Sequence, residues 1–135
     1  MRYFGRGKMQ AAQGQEQRQH PRFGLGLPVT LLFGAQKTNV PGELQDISAG
    51  GCFFKSRIEV DIDRLILVVL RDTSGKICRA KGRVVRTLAY KGFAVLFDDP
   101  GSRAVAEFIR GFGPLTPSDR VARLSTGLVP QIEIL

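Results

Sequence analysis

The stretch CRAKGRVVRTLAYKGFAVLFDD, residues 78–99, decides the fold class. Up to Val84 it alternates: Cys78, Ala80, Gly82 and Val84 share one parity, while Arg79, Lys81 and Arg83 share the other. Successive side chains of a strand point to opposite faces, so this period of two predicts a strand with one face in a core and one in water. The same parity places Arg86 on the Val84 side at the strand's end, where a barrel interior opens to solvent at its rim. Tyr90-Lys91-Gly92 makes a short connection, and Phe93 to Phe97 returns as the second strand of an antiparallel hairpin.

Outward from this pair, at 75–88 and 91–98, four more apolar segments read as strands near 26–35, 40–48, 51–57 and 64–72. Breaks at Pro41-Gly42, Gly50-Gly51 and Ser74-Gly75 separate several of them. Short strands at this spacing predict a mainly β domain, a barrel or a sandwich. After Phe97 the period changes: Val105, Phe108, Ile109 and Phe112 form the i, i+3, i+4, i+7 stripe of a helix that covers a core. Asp99 is its expected cap, Pro100 its first residue, and Gly111 or Gly113 marks its end. A second short helix is expected from Thr116-Pro117 to about Leu124, and the last ten residues show no clear pattern. Residues 1–15 read as a flexible Gly- and Gln-rich leader, 16–112 as the domain and 113–135 as a C-terminal extension.

A chain of 135 residues, 43% of them hydrophobic, suits one globular domain. Twenty Lys and Arg against twelve Asp and Glu leave a net charge of +8, which favours an anionic partner. Half of that excess sits in residues 1–24, where Arg2, Arg6, Lys8, Arg18 and Arg22 face only Glu16. Cys52 and Cys78 lack the paired spacing of a zinc or redox motif and read as buried, reduced thiols. The N-terminus has no apolar run of signal-peptide type, and Leu65 to Leu70 is too short to span a bilayer, so a cytoplasmic location is expected.

Two motifs carry chemistry: Arg18-Gln19-His20-Pro21-Arg22 ahead of the first strand, and Asp46-Ile47-Ser48-Ala49-Gly50-Gly51 across the second turn. Arg18 and Arg22 alone could be a solvated basic arm, and Asp46 and Ser48 could merely hold an Asx or Ser turn. Read as a site, Asp46 and Ser48 point to one side of an extended strand while Ile47 enters the core. His20 is the sole histidine, with no nucleophile or metal-ligand cluster beside it, so a catalytic role and an enzyme are not expected.

Taken together, R-x-x-x-R before strand one and D-x-S-x-x-G across strands two and three resemble the PilZ domain family over about residues 16–112. The 82–99 strand pair and the helix after it fit the same resemblance. It implies a six-stranded antiparallel split barrel with a C-terminal helix packed on it, a receptor for cyclic di-GMP that needs no cofactor. The ligand would be held by Arg18, Arg22, Asp46, Ser48 and Gly51, to which strand parity adds Arg86. The chemistry agrees: guanidinium groups pair with phosphate oxygens or with guanine O6 and N7, and stack on purines. A carboxylate accepts from guanine N1–H and N2–H₂, a hydroxyl donates or accepts, and Gly51 permits close backbone approach and positive φ. Gln17 departs from relatives with a further Arg there, which weakens the case for a stacked ligand dimer.

The ligand is expected to order residues 15–23 into a clasp, with Phe23 and Leu25 as anchors, and an unidentified downstream protein would read the result. One rival is a single-stranded nucleic-acid-binding barrel, favoured by a pI near 10.2 and the Arg79, Lys81, Arg83 stripe. Against it, there is no Trp and no aromatic interleaves that stripe. The other rival is a PilZ-like interaction module without ligand, against which stand two whole motifs.

Overall fold

The computed structural model describes residues 20–135. Seven strands occupy this range: β1 (Phe23–Phe33), β2 (Thr38–Ile47), β3 (Gly51–Lys55), β4 (Leu65–Arg71), β5 (Ile77–Leu88), β6 (Gly92–Phe97) and β7 (Gln131–Ile134). Helices α1 (Arg103–Phe108) and α2 (Pro117–Leu124) lie between β6 and β7. The strands close a barrel in the order β1-β2-β3-β6-β5-β4-β7.

Every neighbour is antiparallel except β7, which runs parallel to β1 with Thr30 opposite Gln131 and Phe33 opposite Ile134. The count is therefore seven among the described residues rather than six, and the barrel is not wholly antiparallel. The seventh strand comes from the tail that showed no pattern, because four residues give only two turns of a two-residue period. Ile132 and Ile134, 0% and 1% exposed, fill the seam between Leu31 and Ile66. Arg64 Nε donates to the Leu135 carbonyl at 2.7 Å and fastens the end of the chain.

The barrel interior is the core. From β5 it receives Cys78, Ala80 and Val84, from β4 Ile66, Val68 and Leu70, and from β3 and β6 the stacked rings of Phe54 and Phe93, 5.4 Å apart. Helix α1 plugs one end with Val105 and Phe108, and Ile109 and Phe112 complete the expected stripe in the turns that follow. Its cap is Ser102, whose Oγ accepts from Val105 N–H at 3.3 Å, not Asp99. The reason is Gly101, whose φ of +80° interrupts any helical path from Pro100. Helix α2 follows its signals: Thr116 accepts from Asp119 N–H at 3.1 Å and Pro117 opens the first turn. Arg120 then ties α2 to the barrel, donating to the carbonyls of Phe112 at 2.8 Å and Gly24 at 2.9 Å. No described helix is long and apolar enough to cross a membrane.

Register shifts interrupt the ladders between Gly24 and Leu27 in β1, Leu44 and Asp46 in β2, and Val84 and Arg86 in β5. The bulges in β2 and β5 turn the chain beyond them to the other face, whereas in β1 the buried alternation of Leu25, Leu27 and Val29 runs through the shift. The shifts in β2 and β5 set the directions of Asp46 and Arg86.

Candidate functional site

In β2, Leu44 and Ile47 are both buried although three positions apart, because Gln45 is the bulged residue between them. The shift leaves Asp46 on the outer wall, opposite Phe53 of β3 and Gly24 of β1. Arg22 enters from just before β1 and places Nη1 2.9 Å from Asp46 Oδ1, with the two side chains 39% and 25% exposed. A surface ion pair of this kind contributes at most about 1 kcal/mol, so it orients both groups without committing them. Beneath it lies Cys52, whose thiol is held well above its ordinary pKa, by burial first and by the Asp46 carboxylate next, with Arg22 opposing.

His20 fixes the approach of the arm. A Cβ added to Gly50 would come 2.9 Å from its Cδ2, and one added to Gly101 would come 2.9 Å from its Cε1. The imidazole thus sits in a slot between two glycines, one in the β2–β3 turn and one at the entry to α1. The slot is rigid: Gly101 N–H donates to the Ala49 carbonyl at 2.8 Å and Phe97 N–H to the Gly50 carbonyl at 2.9 Å. Three residues on from His20, the Phe23 ring meets Phe112 edge to face at 6.0 Å, with the Arg120 guanidinium 5.3 Å over it. His20 and Phe23 are therefore held by contacts of the protein itself, with Pro21 and Arg22 exposed between them, whereas the sequence expected residues 15–23 to order only with ligand, anchored at Phe23 and Leu25. Arg18, Gln17 and the leader lie outside the described residues.

Ser48 does not present its hydroxyl outward beside Asp46. It is 6% exposed, past the end of β2, and its Oγ accepts from the N–H groups of Gly50 and Gly51 at 3.1 and 3.3 Å. Its own N–H donates to the Gly51 carbonyl at 2.8 Å, so Ser48 holds the turn. Nor is Gly51 in the positive-φ region; a Cβ there would run into the Val95 carbonyl oxygen of β6. Its requirement for glycine is close approach of strands.

Arg86 is exposed, but on a different face from the one its parity predicted. The bulge at Val85 turns it away from the Val84 side and pairs it with Ala94. Ala94 pairs with Phe53, and Phe53 with Asp46, so Arg86 stands at the far end of an outer row three strand spacings, roughly 14 Å, from Asp46. Between them lies the half-buried Phe53 ring, packed over Gly92. From Phe53 and Gln45 a groove of about 850 Å³ opens toward the β5–β6 hairpin, bordered by Lys55, Arg57, Tyr90 and Lys91. The face thus combines cations, the carboxylates of Asp46 and Glu43 and an aromatic surface, a mixture that suits a ligand with phosphates and planar bases.

Among the described residues no group of three or more His, Cys, Asp or Glu is placed to hold a metal ion. His20, given no role by the sequence reading, is the residue that reading missed; Pro21 after it and the glycines that flank it were its only signals. In comparisons with known proteins, the family model for the PilZ domain matches residues 16–111. No curated protein and no solved structure matches the chain significantly.

Proposed function

The chain belongs to the PilZ domain family, whose members are cyclic di-GMP receptors rather than enzymes, and from that premise we propose that this chain binds cyclic di-GMP on the outer wall around Arg22 and Asp46. The observation that carries the reading is the Arg22–Asp46 pair at the motif positions, oriented by His20 in its two-glycine slot. Arg22 and Arg18 pair with phosphate oxygens or guanine O6 and N7. Asp46 accepts from guanine N1–H and N2–H₂ through Oδ2 while Oδ1 holds Arg22. Ser48 and Gly51 act through the turn: they set the wall on which the ligand lies. Arg86 closes the far end of the row, stacking on a base or pairing with a phosphate.

The signal follows from ordering of the arginine arm. Placing Arg18 against the ligand supplies the differential binding energy that a ligand-driven change requires. Fixing the residues before His20 opposes binding by roughly 1–2 kcal/mol each, which keeps the net affinity modest. The clasp is thus confined to residues 15–19 and offers a new surface to a downstream protein. Hydrogen exchange tests this directly. On addition of cyclic di-GMP, amides of residues 15–19 gain protection, while His20 and Phe23, already held by packing, change little. Equal protection of residues 15–19 with and without the nucleotide would end the clasp mechanism and leave a preformed site.

A further inference from the structure

The basic stripe Arg79, Lys81, Arg83 takes no part in the site above. It lies on the outer wall of β5, and the barrel order places β4 beside it, away from β2. Register sets an aliphatic side chain opposite each cation: Leu65 faces Arg83, Leu67 faces Lys81 and Val69 faces Arg79. All six point outward, with Leu65 46% exposed, and Leu96 of β6, 47% exposed, extends the apolar surface beyond Arg83. None of the three cations is in an ion pair among the described residues, although Asp98 follows close to Lys81. Glu133, the carboxylate opposite Leu67, is bound to Lys37 at 3.2 Å. Along the other flank of the aliphatic row runs a depression of about 640 Å³, walled by Leu128, 80% exposed, and Val129.

Exposed aliphatics are dehydrated to no purpose against a polyphosphate, and the wall has no aromatic ring on which bases could stack. Two parallel rows, one cationic and one aliphatic, instead match a ligand with the same two rows. The cations are two residues apart along a strand, so Arg79 to Arg83 span roughly 13 Å. Carboxylates at i, i+4 and i+8 of a helix span about 12 Å, and a neighbouring helical row can carry Leu. We propose that the β4–β5 wall docks an acidic amphipathic helix of a partner protein, with its carboxylates on Arg79, Lys81 and Arg83 and its apolar row on Leu65, Leu67 and Val69. The depression beside Leu128 receives the bulkiest apolar side chain of that helix. This surface is independent of nucleotide binding and remains open when the outer row around Asp46 is covered.

The test uses the full chain and a synthetic helical peptide of about 14 residues built from Glu-Leu-Ala-Gln repeats, which aligns Glu at i, i+4 and i+8 beside a row of Leu. Amide chemical-shift mapping should place the peptide on β4, β5 and the Leu128 loop, and Lys81→Glu or Arg79→Glu should weaken it about tenfold or more each. Leu65→Ser should weaken it as well, and all three exposed variants should melt like the parent. A Lys-Leu-Ala-Gln peptide should not bind. No shifts, shifts elsewhere, equal binding of the Lys peptide, or tighter binding of oligo-dT or of phosphatidylserine vesicles through the same residues would each overturn the proposal. A failure of cyclic di-GMP to bind, measured in parallel, would overturn the receptor reading and leave this surface standing.

Discussion

Replacing Ser48 with Ala and, separately, Asp46 with Ala splits one motif into its two physical roles. The Ser48 hydroxyl is buried and accepts from two backbone N–H groups, at 3.1 Å from Gly50 and 3.3 Å from Gly51. Its removal leaves those amides without that acceptor in a place that water reaches poorly, at a cost of about 2 kcal/mol. The backbone bonds Ser48 N–H to Gly51 O, Phe97 N–H to Gly50 O and Gly101 N–H to Ala49 O remain, so the turn weakens without collapsing. For a chain of this size that cost lowers Tm by roughly 8 °C. Asp46 offers the contrast: among the described residues its side chain bonds only Arg22, in a partly exposed pair worth at most about 1 kcal/mol. Its loss therefore leaves the melting curve nearly unchanged, yet removes a charge-assisted contact to guanine and weakens cyclic di-GMP about ten- to a hundredfold. Urea denaturation and calorimetric binding on the two variants decide the matter. A Ser48→Ala protein as stable as the parent, or an Asp46→Ala protein that loses several kcal/mol while binding normally, would refute the division.

His20→Ala empties the slot between Gly50 and Gly101 and frees the approach to Arg22, so binding should fall about tenfold with little change in Tm; an unchanged isotherm removes His20 from the positioning of the arm. Arg86→Ala should weaken the nucleotide by a smaller factor than Arg22→Ala, since Arg86 stands at the far end of the outer row, and parental affinity would confine the site to the Asp46 end. The Cys78 thiol is pushed up to about 11 by burial and Cys52 is raised further. The folded state thus keeps protons that the unfolded chain releases near pH 8.5, and stability is full below that pH and declines as pH rises through about 11 for Cys78. Urea midpoints that do not fall between pH 8 and pH 10 would contradict that sign.

The strands were legible because the barrel buries one face, and burial imposes a two-residue period that Cys78 to Val84 display without interruption. The period fails where a bulge intervenes, and nothing in Val84-Val85-Arg86 announces the extra residue. That is why Arg86 was assigned to the wrong face. Strand β7 escaped because four residues carry too little pattern, although Ile132 and Ile134 complete the core. At the candidate site, the motifs named Arg22 and Asp46, and the fold brings these two side chains together at 2.9 Å. What residue type did not announce at Ser48 and Gly51 is their internal contacts: a buried hydroxyl on turn amides and a backbone pressed against Val95. The slot around His20 was invisible for a different reason. It joins residues 20, 50 and 101, and only the closed barrel brings them together.

The central claim, that Arg22 and Asp46 form a built cyclic di-GMP site, is tested most directly by titrating labelled cyclic di-GMP into the parent and Arg22→Ala proteins, with GTP and a single-stranded oligonucleotide as competitors. The account predicts saturable binding to the parent that neither competitor displaces, and a loss of about ten- to a hundredfold in Arg22→Ala at unchanged Tm. Absence of binding to the parent, displacement by the oligonucleotide, or equal affinity of the two proteins would contradict it.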